Sequence, residues 1–107
     1  MSRPKDYATV THPKTLALGI HAPYNKTLDI ESYYNEFLNL IESNEIPYTN
    51  TAFIKLKSVD SGYFLTKGKL EDIRALCEKE EIEEVIISEA ITAQQERNLS
   101  ELFQCRV

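Results

Sequence analysis

The sequence predicts an α/β domain: a two- or three-layer fold in which a mainly parallel, four-stranded sheet is flanked by helices. Two observations lead to this prediction. Short apolar and β-branched runs alternate along the chain with amphipathic segments of roughly 12 residues, and parallel strands need such crossover helices between them. The chain has 107 residues, which is the size of one domain.

The first strand and the first helix have the clearest signals. Residues 15–21 form an apolar run that stops before a proline, as a buried strand does. Asp29 is placed to cap a helix that begins at Ile30, and apolar residues recur in this helix at helical spacing. Asn44 and Pro47 predict its end.

The middle of the chain predicts a second strand, a turn and a second helix. Residues 48–57 alternate loosely and are rich in β-formers, which places Lys55 and Lys57 on one face of the strand. Residues 58–62 have the composition of a turn. The second helix is predicted to begin at Gly68.

The last part of the chain predicts a strand, a third helix and a fourth strand. Residues 85–88 form a short buried strand. The helix that follows runs from about Thr92 to Phe103, and its Thr92-x-x-Gln95 spacing fits a capping box. Residues 105–107 have the pattern of the first residues of a fourth strand.

The N-terminal residues differ from the rest of the chain. Residues 1–14 are polar and lack periodicity, so we expect a flexible N-terminal arm before a domain of residues 15–107. No apolar run approaches the ~20 residues of a membrane span. The first residues also lack the apolar segment of a signal peptide. We therefore expect a cytoplasmic protein without a membrane span.

The distribution of charge says more than its sum. The net charge of −5 argues against a general nucleic-acid coat protein, which is usually basic. Residues 71–89 hold eight acids, whereas residues 55–69 hold a single acid, Asp60. One part of the surface can therefore be cationic. Its lysines are Lys55, Lys57, Lys67 and Lys69.

No metal or phosphate motif is found in the sequence. Cys77 and Cys105 are most simply small core residues in a reducing compartment, because a structural zinc site needs four closely spaced ligands. The glycines at Gly62 and Gly68 resemble a P-loop. The spacing is one residue too long, however, and Leu70 stands where the magnesium-binding hydroxyl belongs. We expect neither a metal nor a catalytic residue in this chain.

His21 and Glu89 suggest one alternative. In a parallel sheet both residues lie just beyond strand ends, where a His–carboxylate pair could act as a general base in a small metabolite- or nucleotide-binding enzyme domain. The chain offers no convincing nucleophile beside them, and both residues can equally serve turns or face solvent. A bare oligomerisation module is a third interpretation.

Polar residues of the third helix also need an explanation. The spacing puts Gln95 and Leu99 on the inner side of this helix, so Arg97 and Asn98 point elsewhere. They form either an ordinary exposed face or a surface that docks another domain.

Three segments of the chain carry a family resemblance: Lys67-Gly68-Lys69-Leu70-Glu71-Asp72-Ile73, Thr92-x-x-Gln95-x-Arg97-Asn98-Leu99 and Cys105-Arg106-Val107. Together they resemble the N-terminal domain of the HflX family of translational GTPases. The family pattern is Gly-Lys-Gly-Lys-(Val/Leu)-Glu-Glu, then acidic-Leu-(Ser/Thr)-Pro-x-Gln-x-Arg-Asn-Leu, then a strand that runs into Asp-Arg. The chain departs from this pattern at Thr66 for the first glycine, Ala90-Ile91 for acidic-Leu and Ala93 for proline.

The resemblance implies a non-catalytic domain that helps dock an HflX-type protein on the large ribosomal subunit, its ribosomal RNA and its own GTPase domain, during ribosome splitting or rescue. GTP and magnesium would belong to that GTPase domain. The GTPase domain and the helical linker before it lie outside these residues, so residues 15–107 are interpreted as an excised domain. We expect the four lysines to contact RNA. The residues expected at the interdomain contact are Gln95, Arg97 and Asn98.

Overall fold

Three strands and three helices alternate along the chain in the computed structural model, which describes residues 13–26 and 28–107. Most of the predicted N-terminal arm therefore lies outside the described residues. Lys14, its last residue, already joins the sheet region, because its carbonyl accepts the N–H groups of Glu83 and Glu84. The elements are β1 (Thr15–His21), α1 (Ile30–Ser43), β2 (Asn50–Lys55), α2 (Lys67–Lys79), β3 (Glu84–Ile87) and α3 (Ala93–Phe103).

The sheet has the strand order β2-β1-β3, and both neighbouring pairs are parallel. Leu18 lies opposite Ala52 on one side and Ile87 on the other. Every residue of the central strand β1 is buried, which explains its continuous apolar run. The predicted α/β fold with a parallel sheet is confirmed.

The predicted fourth strand is wrong for the described part of the chain, where the sheet has three strands. Instead, Arg106 forms an isolated parallel bridge with Glu84. Its carbonyl accepts the N–H of Val85 at 2.7 Å, and its own N–H donates to Glu83 at 3.0 Å. α3 ends at Gln104, which has a left-handed conformation, φ 56°, and the chain then turns back to place Arg106 beside Glu84.

Helices cover both faces of the sheet. Alternate residues of β1, including Leu16 and Leu18, share the apolar core with α2 and α3. The other face carries α1, and here the packing requires glycine. A Cβ on Gly19 would lie 2.7 Å from a ring carbon of Tyr34 and 2.9 Å from one of Phe53. The fold is therefore three-layered, with α1 alone on one side.

Local capping signals set the helix starts. Asp29 accepts the N–H of Ser32 at 3.0 Å and caps α1, as predicted. The predicted capping box of α3 is also confirmed. Thr92 Oγ1 accepts the N–H of Gln95 at 3.0 Å, and Gln95 Oε1 accepts the N–H of Thr92 at 2.8 Å.

Within the described residues, no helix combines the length and the apolar character that crossing a membrane requires. The same residues bring together no group of three His, Cys, Asp or Glu side chains that could hold a metal ion.

Candidate nucleic-acid interface

The predicted lysines gather at one edge of the sheet. Because the strands are parallel, the strand C-termini and the starts of the following helices meet at this edge, which we call the carboxyl edge. Lys55 is the last residue of β2, and Lys67 and Lys69 lie in the first turn of α2. Lys57 lies in the connection between them. Lys55, Lys57 and Lys67 are exposed, and Lys69 is half-buried.

The prediction that Lys55 and Lys57 share a strand face is wrong. β2 ends at Lys55, and after Leu56, whose N–H donates to the carbonyl of His21 at 2.9 Å, the chain bends away. Lys55 pairs in register with His21 on the face that carries α1, whereas α2 starts on the opposite face. The lysines therefore flank the carboxyl edge from both sides.

Between the lysines lies a closed loop of residues 60–64, which we call the Asp60 loop. Asp60 and Phe64 exchange both backbone hydrogen bonds, at 3.0 and 2.9 Å. The Asp60 carboxylate accepts the N–H groups of Gly62 at 2.9 Å and Tyr63 at 2.8 Å. The single acid between Lys55 and Lys69 is thus directed at its own loop, and the lysines dominate the charge of the segment.

Two polar residues of α3 donate hydrogen bonds to the main chain of this loop. The Gln95 amide donates to the carbonyls of Asp60 at 3.1 Å and Ser61 at 3.3 Å. The Asn98 amide donates to the carbonyl of Gly62 at 2.8 Å. The buried Gln95 and the half-buried Asn98 therefore form contacts inside the domain, which accounts for their place in the motif.

Arg97 faces outward from the same helix. Its guanidinium donates to Gln94 Oε1 at 2.7 Å, and the residue is exposed. It borders a surface depression between α3 and the end of the chain, together with Glu96 and Val107. Of the three residues predicted at an interdomain contact, Arg97 is the one that remains accessible; the contact itself stays a prediction.

His21 and Glu89 do not meet directly, because Tyr33 of α1 lies between them. His21 is buried and packs edge-to-face against the Tyr33 ring, with the ring centroids 6.1 Å apart. The Tyr33 hydroxyl donates to one carboxylate oxygen of Glu89, and the Tyr24 hydroxyl donates to the other at 3.0 Å. Burial and the bond to Glu89 raise the pKa of Tyr33 to about 12.

Ser88 completes this cluster. Its hydroxyl oxygen accepts the N–H of Ile20 at 2.8 Å and lies 3.1 Å from the Tyr33 hydroxyl. Sequence reasoning missed Tyr24, Tyr33 and Ser88, because they come from three separate segments and no local motif joins them. A serine directly after the apolar strand β3 is the one signal the sequence offers.

The cluster occupies the place where a ligand would bind in many α/β folds. The loops after the neighbouring strands β1 and β3 leave toward opposite faces of the sheet, and the crevice between such strands is the usual ligand site. Here the hydroxyl of Tyr33 bridges from the carbonyl of Ile20 to Glu89 across that crevice. The polar groups of this cluster thus hydrogen-bond to one another across the crevice.

A comparison with protein families decides the affiliation of the chain. The family model described as GTP-binding GTPase N-terminal matches residues 31–107, well over half of the sequence. The chain belongs to this family. The predicted resemblance to the N-terminal domain of HflX-type GTPases is therefore confirmed. A comparison with curated proteins found no match.

The sequence segments that carry the family resemblance lie inside the matched region. This region runs from α1 through α3 and includes both the lysine–glycine start of α2 and the Gln-x-Arg-Asn-Leu stretch of α3. In this chain the second motif holds the loop that leads into the first. The two motifs thus belong to one structural unit at the carboxyl edge.

Proposed function

We propose that this chain is a non-catalytic docking domain of an HflX-type GTP-binding protein in the cytoplasm. It helps attach that protein to the large ribosomal subunit, and to its own GTPase domain, during ribosome splitting or rescue. The observation that carries the proposal is the group of four lysines between the end of β2 and the first turn of α2, in a segment whose single acid, Asp60, accepts N–H groups of its own loop. Ribosomal RNA presents the complementary phosphate charge.

The start of α2 adds to this attraction. Thr66 makes no side-chain hydrogen bond to the first turn, which contains no acid. Gly68 has open space where a side chain would stand. The first N–H groups of α2 therefore stay accessible beside Lys67 and Lys69, and together with the helix dipole they favour an anion.

The residues of this chain do not fit GTP with magnesium. Leu70 follows Lys69 where a P-loop needs a metal-binding hydroxyl, and the preceding loop is closed by its own hydrogen bonds. At the crevice between β1 and β3, the Tyr33 hydroxyl is bonded to the Ile20 carbonyl and to Glu89. GTP and magnesium accordingly belong to the GTPase domain of the proposed whole protein, and this chain is not an enzyme.

A ribosome-pelleting assay tests the docking role. We expect the chain to co-sediment weakly with purified large subunits at low salt, and to lose affinity with a slope of about −3 to −4 in a log–log plot against salt, as four phosphate contacts predict. Replacing both Lys67 and Lys69 by Glu should weaken co-sedimentation and flatten the slope.

The matched control reverses the same number of charges at the opposite edge. Lys14 precedes β1 and Lys79 ends α2, and both side chains are exposed. Lys14→Glu with Lys79→Glu should co-sediment nearly as the unmodified chain does, and circular dichroism should show all variants folded. Equal co-sedimentation of both double variants across the salt series would remove the RNA role from the carboxyl edge.

A further inference from the structure

Tyr63 has an unusual position at the tip of the Asp60 loop. The residue is 36% exposed, although it directly precedes the buried Phe64 and Leu65. In the part of the chain that the structure describes, its hydroxyl has no hydrogen-bond partner, in contrast to the hydroxyls of Tyr24, Tyr33 and Tyr48. About a third of this residue is therefore open to solvent, and its hydroxyl takes no part in the bonds that hold the loop.

The loop fixes the place of this ring. The Tyr63 N–H donates to the Asp60 carboxylate at 2.8 Å, and its carbonyl accepts the N–H of Leu65 at 2.7 Å. Phe64 has a left-handed backbone, φ 67°, and its 3% exposed side chain belongs to the apolar core. Because the core anchors Phe64 and Leu65 and the loop bonds hold the Tyr63 main chain, little backbone entropy of this residue remains to be lost on binding.

The chain segment around Tyr63 contains cationic and apolar residues. Lys57 and Lys67 lie on either side of the loop in sequence and are exposed, and Val59 adds exposed apolar surface. The Asp60 carboxylate is taken up by loop N–H groups and is not directed at a ligand. A partly exposed aromatic ring in a lysine-rich segment suits a chain of phosphates with unpaired bases, because a duplex keeps its base faces stacked inside.

We propose that the Asp60 loop binds single-stranded RNA, with a base stacked on the Tyr63 ring and the flanking lysines on neighbouring phosphates. This inference rests on the proposed RNA-docking function and narrows its partner to an unpaired segment of ribosomal RNA. Gln95 and Asn98 are positioning residues in this site, since they hold the loop carbonyls and do not touch the RNA.

The test is fluorescence anisotropy with a labelled 12-nucleotide oligouridine and a 12-base-pair RNA duplex, over a salt series. Stacking and phosphate contacts differ in their salt dependence. Tyr63→Ala should lower the affinity for the single strand about 5- to 150-fold without changing the salt slope, and Tyr63→Phe should retain the affinity. Lys67→Glu should flatten the slope.

Tyr24→Ala is the matched control, because Tyr24 is an exposed tyrosine whose hydroxyl is bonded to the acidic Glu89. Its affinity for oligouridine should equal that of the unmodified chain. If Tyr63→Ala binds oligouridine normally while Lys67→Glu weakens binding, the stacking site is wrong and the docking function stands. If the duplex binds as tightly as the single strand, the choice of single-stranded RNA is overturned. If neither RNA binds and the chain also fails to pellet with large subunits, the docking function itself fails.

Discussion

The side-chain amide of Gln95 donates to the main-chain carbonyl of Asp60 at 3.1 Å, across 35 residues of sequence. The same side chain uses its oxygen to accept the N–H of Thr92 at the start of α3. One buried residue therefore caps a helix and holds a loop of the carboxyl edge. This coupling connects helix stability to the geometry of the candidate interface.

Replacing Gln95 by Ala should lower the free energy of unfolding by about 1–3 kcal/mol, because the buried side chain bonds the carbonyls of Asp60 and Ser61 and the N–H of Thr92, and all three bonds are lost. Gln94→Ala, one position earlier on the exposed side of α3, is the control, and its effect should stay within about 0.5 kcal/mol. Urea unfolding measures both changes. Equal midpoints for the two variants would contradict the double role of Gln95.

Thr92→Ala should lower the free energy of unfolding by about 1 kcal/mol, because the N–H of Gln95 loses its acceptor. Thr92→Ser keeps the hydroxyl and should restore most of this loss. The measurement is again the urea midpoint at constant m-value. An unchanged midpoint for Thr92→Ala would show that the capping box contributes nothing to the stability of α3.

Tyr33→Phe should change how stability depends on alkaline pH. The pKa of Tyr33 is raised from 10.0 to about 12, so the folded state keeps a proton that the unfolded state loses first. This contribution is fully present below pH 10 and is lost as the pH rises toward 12. The stability difference between the unmodified chain and Tyr33→Phe should therefore shrink over that range. Unfolding by urea at several pH values measures it, and a constant difference would contradict the shift.

Cys77 and Cys105 should react slowly with thiol reagents in the folded chain. Burial raises the pKa of Cys77 to about 12, and burial also raises the pKa of Cys105. The reactive thiolate is therefore scarce near pH 8. Labelling with a thiol reagent should reach completion only after urea is added. Rapid labelling of both cysteines in the absence of urea would show that these positions are open to solvent.

Calorimetry with GTP and magnesium should show no stoichiometric binding in the micromolar range, because the sequence has no P-loop and the Tyr33 hydroxyl is bonded to Ile20 and Glu89 at the crevice between β1 and β3. The oligouridine titration on the same preparation serves as the positive control for an active sample. A reproducible, saturable heat with GTP would contradict the assignment of nucleotide binding to another domain.

Local sequence signals were sufficient to predict the three helices and the three strands of the sheet. Asp29 and the Thr92–Gln95 pair predict helix starts because a cap and the N–H group it satisfies are neighbours in sequence. The β1 run predicts burial on both faces, and the structure confirms it. The fourth strand failed as a prediction because β-propensity cannot tell how many ladder bonds three residues will form. Among the described residues, Arg106 forms a single isolated bridge, with Glu84.

The site was predictable in composition but not in geometry. The sequence identified the four lysines, but it placed Lys57 on β2. The structure ends β2 at Lys55, because the length of this strand depends on its pairing with β1. The link between Tyr33 and Glu89 spans 56 residues, so no periodicity could reveal it. The roles of Gln95 and Asn98 depend on a loop that reaches α3 only after folding.

The central place of β1 in the sheet has a consequence for synthesis of the chain. β1 is completed at His21, whereas its second neighbour β3 ends at Ile87, about 65 residues later. At 5–20 residues per second, a translating ribosome takes roughly 3–13 seconds to deliver it. Throughout that interval the fully buried strand β1 lacks its second neighbour, and α3 has not yet packed on the sheet. The nascent domain is thus most open to chaperones, and to aggregation, before β3 emerges.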